Sequence, residues 1–333
     1  MTYDQIITDI KNKVYYPVYL LMGEEPYFID VITDILEEHV LEEAYRDFNS
    51  MTVYGRDVDA AALINQAKSY PMSGNYQLLI VKEAQDMQDI EELESYLKNP
   101  LESTILVINY KYKKIDARKT FAKLVKSKGV LFESKTLFEN SIPQWIIKFL
   151  KQKNYSITPK ACQMLADNLG TDLHKIRNEL EKLTIILSTG ATITDEHVER
   201  NIGISKDFNV FELQKALSQR DVVKANRIIN YFGANSKENP ILMSVVLLYI
   251  YFIRVLKYHY TKDKSRNNLA VVLGVSPFFV SDYQLAAKSY SATKAMEAIS
   301  ILRKYDLKGK GVENQSADDA DLYKEMLYKL IHL

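Results

Sequence analysis

Residues 18–36 read VYLLMGEEPYFIDVITDIL: an apolar run, a glycine, then a helical pattern. That order is the frame of a phosphate-binding loop. Its working form, G-x-x-x-x-G-K-S/T, needs glycines so that backbone amides can wrap phosphates, a lysine to neutralise charge and a hydroxyl to hold magnesium. Gly23 supplies the first glycine, but the places of the second glycine, the lysine and the hydroxyl fall on Phe28, Ile29 and Asp30. All three chemical roles are missing. Glu24 and Glu25 add negative charge at a helix N-terminus that would otherwise attract an anion, so they satisfy the helix dipole themselves and repel a triphosphate.

A second test is the magnesium-positioning acid that should close a later strand. In LLIVKEAQDM, Lys82 stands at that place and leaves only Glu83, which reads as a solvated strand-end residue rather than a hydrolytic base. The nucleotide site therefore reads as vestigial, and no cofactor is expected. The five histidines show neither H-x-x-x-H nor H-E-x-x-H spacing, the single cysteine, Cys162, lies in a helical pattern, and no G-x-S-x-G is present. No metal site and no catalytic residue is predicted.

Around these positions, residues 1 to about 140 alternate short β-rich runs (PVYLLMG, MTVYG, YQLLIVKEA, TILVINY, GVLFESK) with helical stretches. This is the pattern of an α/β domain on a largely parallel sheet. From SIPQWIIKFLKQKN onward the helical period takes over, with Ser141 placed to cap and Pro143 near the first turn. The remainder is expected to be all helix. Three helices opened by Thr158, Asp172 and Thr194 and punctuated by Gly170 and Gly190 form a first bundle. A second helical block starts near Phe208, SKDFN being the hinge between them, and LKGKGVENQSADD (307–319) reads as a polar loop. The apolar stretch ILMSVVLLYIYFI, 241–253, is too short to span a bilayer and reads as a core helix, so no membrane association is expected.

At 333 residues the chain exceeds the size of one hydrophobic core. Lys+Arg and Asp+Glu are 43 each, so no global field draws the molecule to nucleic acid or anionic lipid. The distribution is uneven: residues 1–142 carry 16 basic and 23 acidic side chains, and the rest 27 and 20. A lone cysteine cannot form an internal disulfide, and the N-terminal residues lack the apolar core of a signal peptide. A reducing cytoplasm is the expected location.

In this order, YLLMGEEPYFID, SYPMSGNYQLLIVKEAQ, KYKKIDARKTFAKLVKSKGVLFE, GTDLHKIRNELEKLTIIL and YDLKGKG resemble the signatures of the bacterial DNA polymerase III clamp-loader delta-subunit family, and the resemblance covers essentially the whole chain. It implies a degenerate AAA+ base of parallel-sheet P-loop type over 1–142, an all-α lid over 143–207 and an all-α collar, the oligomerisation domain, over 208–333. It implies a non-catalytic subunit of a DNA-directed DNA polymerase (nucleotidyltransferase) holoenzyme active in DNA replication. Proteins of this kind bind the sliding clamp and open its interface for loading onto primed DNA. The implied partners are the clamp, ATP-hydrolysing tau/gamma-type subunits, a delta-prime subunit and primed DNA.

The clamp-binding residues that the resemblance carries over are Tyr70, Pro71, Met72 and Ser73. Tyr70 and Met72 take the two apolar anchor places, while Ser73 departs from the family's usual large apolar residue. The dense basic run 111–128, with Lys111, Lys113, Lys114, Arg118 and Lys119 at its head, is open to two readings: contact with the DNA phosphates threading the ring, or a solvated amphipathic helix that makes inter-subunit salt bridges. An active phosphate-loop ATPase of the same fold and a helical DNA-binding or adaptor protein remain the alternatives.

Overall fold

Each of the five apolar runs becomes one strand of a single sheet: β1 (Val18–Gly23), β2 (Ser50–Tyr54), β3 (Gln77–Lys82), β4 (Thr104–Lys111) and β5 (Val130–Ser134). The order is β2-β3-β4-β1-β5, and every pairing is parallel. β1 and most of β3 and β4 are buried on both faces, which is why they read as unbroken apolar runs instead of alternating ones. The computed structural model describes residues 1–314 and 316–333.

The chain divides into two units, Met1–Leu137 and Phe138–Leu333. In the first, helices cover both faces of the sheet. Tyr19, Leu21, Leu78, Ile80, Ile105 and Val107 pack against Ile6 and Ile10 of α1 (Tyr3–Lys11) and Ile29, Ile32 and Leu36 of α2 (Pro26–His39). On the opposite face Leu20, Met22, Leu79, Val81, Leu106 and Ile108 meet Leu63 of α4 (Ala60–Ala67), Leu97 of α5 (Glu94–Leu97) and Phe121 and Val125 of α6 (Thr120–Lys128). A one-turn helix, α3 (Arg46–Asn49), leads directly into β2. The expected α/β class followed by helices is the observed one.

The second unit is built from α7 (Ile142–Gln152), α8 (Pro159–Leu169), α9 (Leu173–Ile186), α10 (Asp195–Ile202), α11 (Val210–Gln219), α12 (Val222–Ala234), α13 (Ile241–Tyr260), α14 (Arg266–Leu273), α15 (Val280–Ser289), α16 (Ala292–Gly309) and α17 (Asp319–Ile331). Thr158 and Asp172 cap α8 and α9 through their side chains, and Thr194 and His197 form a reciprocal cap on α10. The apolar stretch from 241 is a helix that runs on to Tyr260. It is long and apolar enough to cross a membrane, yet Val245, Leu248, Phe252 and Val255 are buried against neighbouring helices.

Several sequence expectations need correcting. The helical part is not purely helical: β6 (Ser156–Ile157) and β7 (Thr192–Ile193) pair in parallel, because each leads into a helix cap and their backbones meet side by side. Ser141 precedes α7 but makes no capping bond; it is in a helical conformation and its hydroxyl turns to Asn140. At SKDFN, where a hinge remains an expectation, Ser205 Oγ accepts from Phe208 N at 3.1 Å and Asn209 caps α11. The polar loop is shorter than 307–319, since α16 continues through Gly309 and Asp318 already caps α17; Gln315 lies outside the described residues.

Candidate functional site

The phosphate-loop frame is rebuilt as an ordinary strand-to-helix corner. β1 ends at Gly23 and α2 starts at Pro26, which leaves two residues where a phosphate cradle needs a long loop. Two backbone donors of this corner are already engaged. Glu24 N donates to Ser134 O at 3.0 Å, Tyr27 N donates to the Glu25 carboxylate at 3.1 Å, and Pro26 has no N–H to offer. Glu25, 5 % exposed, is the N-cap of α2, and Ser134 Oγ donates to its carbonyl at 2.6 Å. Gly23 is needed for a local reason: at φ +137° a Cβ there would stand 1.9 Å from Ser134 O, so the β5 backbone takes the space.

The three replaced positions have separate fates. Ile29 is fully buried against the sheet, and Phe28 packs edge-on against Tyr3 with centroids 4.9 Å apart. Asp30, at the hydroxyl's place, pairs with Lys111 Nζ at 2.7 Å, and the same ammonium reaches Glu83 at 3.4 Å. Lys111 thus bridges the hydroxyl's place in the old loop and the acid that follows Lys82 at the end of β3. Burial pushes its ammonium down, but the Asp30 and Glu83 carboxylates outweigh that and hold it above the ordinary lysine range. Glu83 is not a freely solvated strand-end residue: it is tied to Lys111 and Gln85 and adopts φ +51°.

The rest of the basic run is similarly engaged. Lys114 pairs with Glu133 at 2.9 Å and Glu24 at 3.6 Å, Arg118 with Asp116 at 2.7 Å and Lys119 with Glu91 at 2.8 Å. The Lys119 hydrogen bond holds the Glu91 carboxyl below its usual range, and the Arg118 bond does the same for Asp116. Lys113 is exposed on the same turn. Four of the five cations at the head of the run are therefore paired with carboxylates of their own unit.

The SYPMSG turn is different in kind. Tyr70 is 76 % and Met72 80 % exposed, with Pro71 half-buried between them and Ser73 exposed. The backbone that carries them is held before the turn and at its crest. Its take-off is held by Thr104 Oγ1, which donates to Ala67 O at 2.8 Å, and by buried Gln77, whose amide donates to Ser69 O and to Thr104 Oγ1. Its crest is held by buried Asn49: Met72 N donates to Oδ1 at 2.9 Å and Nδ2 donates to Ser73 O. Gly74 makes the exit at φ +79°, where an added Cβ would press on the Tyr45 ring at 3.3 Å. Asn49 and Gln77 carried no signal in the sequence, because an amide in a strand-flanking position looks like any other turn residue.

The two sites lie at opposite ends of the sheet. All strands are parallel; Tyr70–Gly74 precede β3, whereas Gly23, Glu83 and Lys111 stand at strand C-termini. A six-residue strand separates such ends by roughly 20 Å, so the exposed turn and the old nucleotide corner cannot share a ligand. Among the described residues no group of three metal-ligating side chains occurs. A cavity of about 520 Å³ lies instead in the helical unit, where Asp167, Lys215, Arg254 and Tyr283 are among its lining residues; no motif pointed to it. Burial there pushes the Asp167 carboxyl up to about 6, with the Gln163 amide at 2.7 Å only partly offsetting it.

Residues 19–135 match the family described as DNA polymerase III, delta subunit, and residues 207–327 match the family of the C-terminal domain of that same DNA polymerase III protein. The chain is 25 % identical over 283 residues to DNA polymerase III subunit delta of Bacillus subtilis, covering 81 % of each. It is 23 % identical over 303 residues to a probable DNA polymerase III subunit delta of Aquifex aeolicus, covering 86 % of this chain and 82 % of that one. Its fold is shared with the Bacillus subtilis DNA clamp loader delta protein (YqeN), with a TM-score of 0.55 and 21 % identity over the full length of both.

Proposed function

Since this chain belongs to the DNA polymerase III delta-subunit family, we propose that it binds the sliding clamp through Tyr70, Pro71, Met72 and Ser73 and opens the clamp interface for loading onto primed DNA. In this reading it is a non-catalytic, cytoplasmic subunit. ATP is bound and hydrolysed by tau/gamma-type partners, and the ring is completed by a delta-prime subunit. Residues 143–207 serve as lid and 208–333 as collar, with the parallel-sheet unit as the arm that carries the clamp-binding turn.

The observation that carries the reading is the SYPMSG turn: two apolar side chains about four-fifths exposed, on a backbone pinned by Asn49, Gln77 and Thr104. Pre-ordering lowers the entropy lost on binding, and exposure leaves nearly the whole apolar area of both side chains to be buried by a partner. Each anchor then contributes roughly 1.5–3 kcal/mol in a clamp pocket. Opening follows if the turn has higher affinity for the sprung clamp than for the closed one, because only a difference in affinity shifts that equilibrium. The filled corner at Gly23–Asp30 supports the division of labour, since the Glu24 and Tyr27 amides and the Glu25 and Asp30 carboxylates are engaged within the chain.

The test is the affinity of immobilised cognate clamp for the wild type and for the Tyr70→Ala/Met72→Ala variant, alongside a Mg-ATP titration. We expect the double variant to lose at least 100-fold in affinity with an unchanged melting temperature, and the wild type to show no micromolar nucleotide binding. Retained affinity in the variant overturns the clamp-binding assignment, and micromolar Mg-ATP binding overturns the non-catalytic one.

A further inference from the structure

Asn49 does more than hold the crest of the SYPMSG turn: it joins that turn to a third exposed apolar side chain. Phe48, next to it in α3, is 69 % exposed. Single exposed aromatics are common and need no explanation. Phe48 differs in being fixed on both sides. On one side Arg46 Nη2 donates to Glu38 O at 2.8 Å and ties α3 to the end of α2. On the other, Asn49 is 4 % exposed and its carboxamide bonds the backbone of both Met72 and Ser73. The Tyr45 ring lies against Gly74 at the exit of the same turn.

The covalent reach of Asn49 sets how close the two segments are. With Met72 N at 2.9 Å from its Oδ1, the Cα atoms of Phe48 and Met72 lie no more than about 12 Å apart, a span that two long side chains can cover together. The register agrees: β2 starts beside β3, Ser50 opposite Leu78, so the residues before both strands share one end of the sheet. Ser73, the polar member of the turn, adds no apolar area there; Phe48 does.

We propose that Phe48 is a third apolar anchor for the partner that takes Tyr70 and Met72, and that Asn49 is the positioning residue that keeps the three in one face. This rests on the clamp-binding reading above, and the occupant is the same clamp. The two segments are joined through Asn49, the three side chains are each more than two-thirds exposed, and both segments are held by hydrogen bonds.

Clamp affinity is measured for Phe48→Ala, for the Tyr70→Ala/Met72→Ala variant and for Phe278→Ala, an exposed phenylalanine of the helical unit that serves as control. We expect Phe48→Ala to weaken binding about tenfold with an unchanged melting temperature, and Phe278→Ala to bind as the wild type does. Asn49→Asp, which keeps the acceptor for Met72 N–H, should retain more affinity than Asn49→Ala, and only the latter should markedly speed hydrogen exchange at the Met72 amide. Wild-type affinity in Phe48→Ala beside a lost one in the double variant overturns the third anchor alone. Wild-type affinity in both overturns the clamp face and the third anchor with it.

Discussion

Replacing Lys111 with Met removes one charge, keeps most of the side-chain volume and leaves Asp30 and Glu83 facing the position of the lost ammonium. The Lys111 side chain is 13 % exposed and its partners 29 % and 33 %, at 2.7 and 3.4 Å. Breaking a fully buried pair costs about 3–5 kcal/mol, and exposed pairs are worth about 0.2–1 kcal/mol. The intermediate exposure places Lys111→Met at about 2 kcal/mol, roughly a thirtyfold change in the local opening equilibrium. The only tryptophan, Trp145, lies in the helical unit, so fluorescence reports the wrong half of the chain. Hydrogen exchange at the amides of β1 and β4 reads the right one. We expect those amides to lose protection by that amount in Lys111→Met and to regain part of it when Asp30→Asn is added. Lys114→Met, at a more exposed ammonium, should change little. The sign with pH follows from the raised lysine: its contribution is full below the ordinary value of 10.5 and is lost only as pH climbs through the higher folded one. Unchanged protection in Lys111→Met would refute the idea that this lysine holds the corner together.

Two further outcomes follow from particular atoms. Gly23→Ala should destabilise the first unit by about 2 kcal/mol or more, through the β5 carbonyl and the positive φ, as read by the same exchange; a neutral effect would mean that this corner relaxes freely. Asp167, with its carboxyl raised to about 6, stabilises the helical unit most below its usual range and progressively less as pH rises through 6, with a ceiling of about 3 kcal/mol. The difference in Trp145-monitored urea midpoint between the wild type and Asp167→Asn should therefore vary between pH 4 and 7, and a constant difference would remove the burial argument.

The sheet was legible because each strand is an apolar run bounded by turn residues, and the helix caps at Thr158, Asp172 and Thr194 because their chemistry is local. β6 and β7 were not, since two residues carry no period. The loss of phosphate chemistry could be read from Phe28, Ile29 and Asp30, but what replaced it could not. Lys111 looks like the first member of a solvated basic run, and only the fold brings it between Asp30 of α2 and Glu83 after β3. The apolar turn at Tyr70–Ser73 stood out through family resemblance alone; its rigidity depends on Asn49, Gln77 and Thr104, which are distant in sequence and ordinary in type.

The most direct measurement places a photo-crosslinking amino acid at position 70 and illuminates the chain with its clamp. A covalent adduct to the clamp at position 70, absent from the same probe at position 24 of the old nucleotide corner, is the predicted result. Adducts at position 24 and none at position 70 would contradict the account.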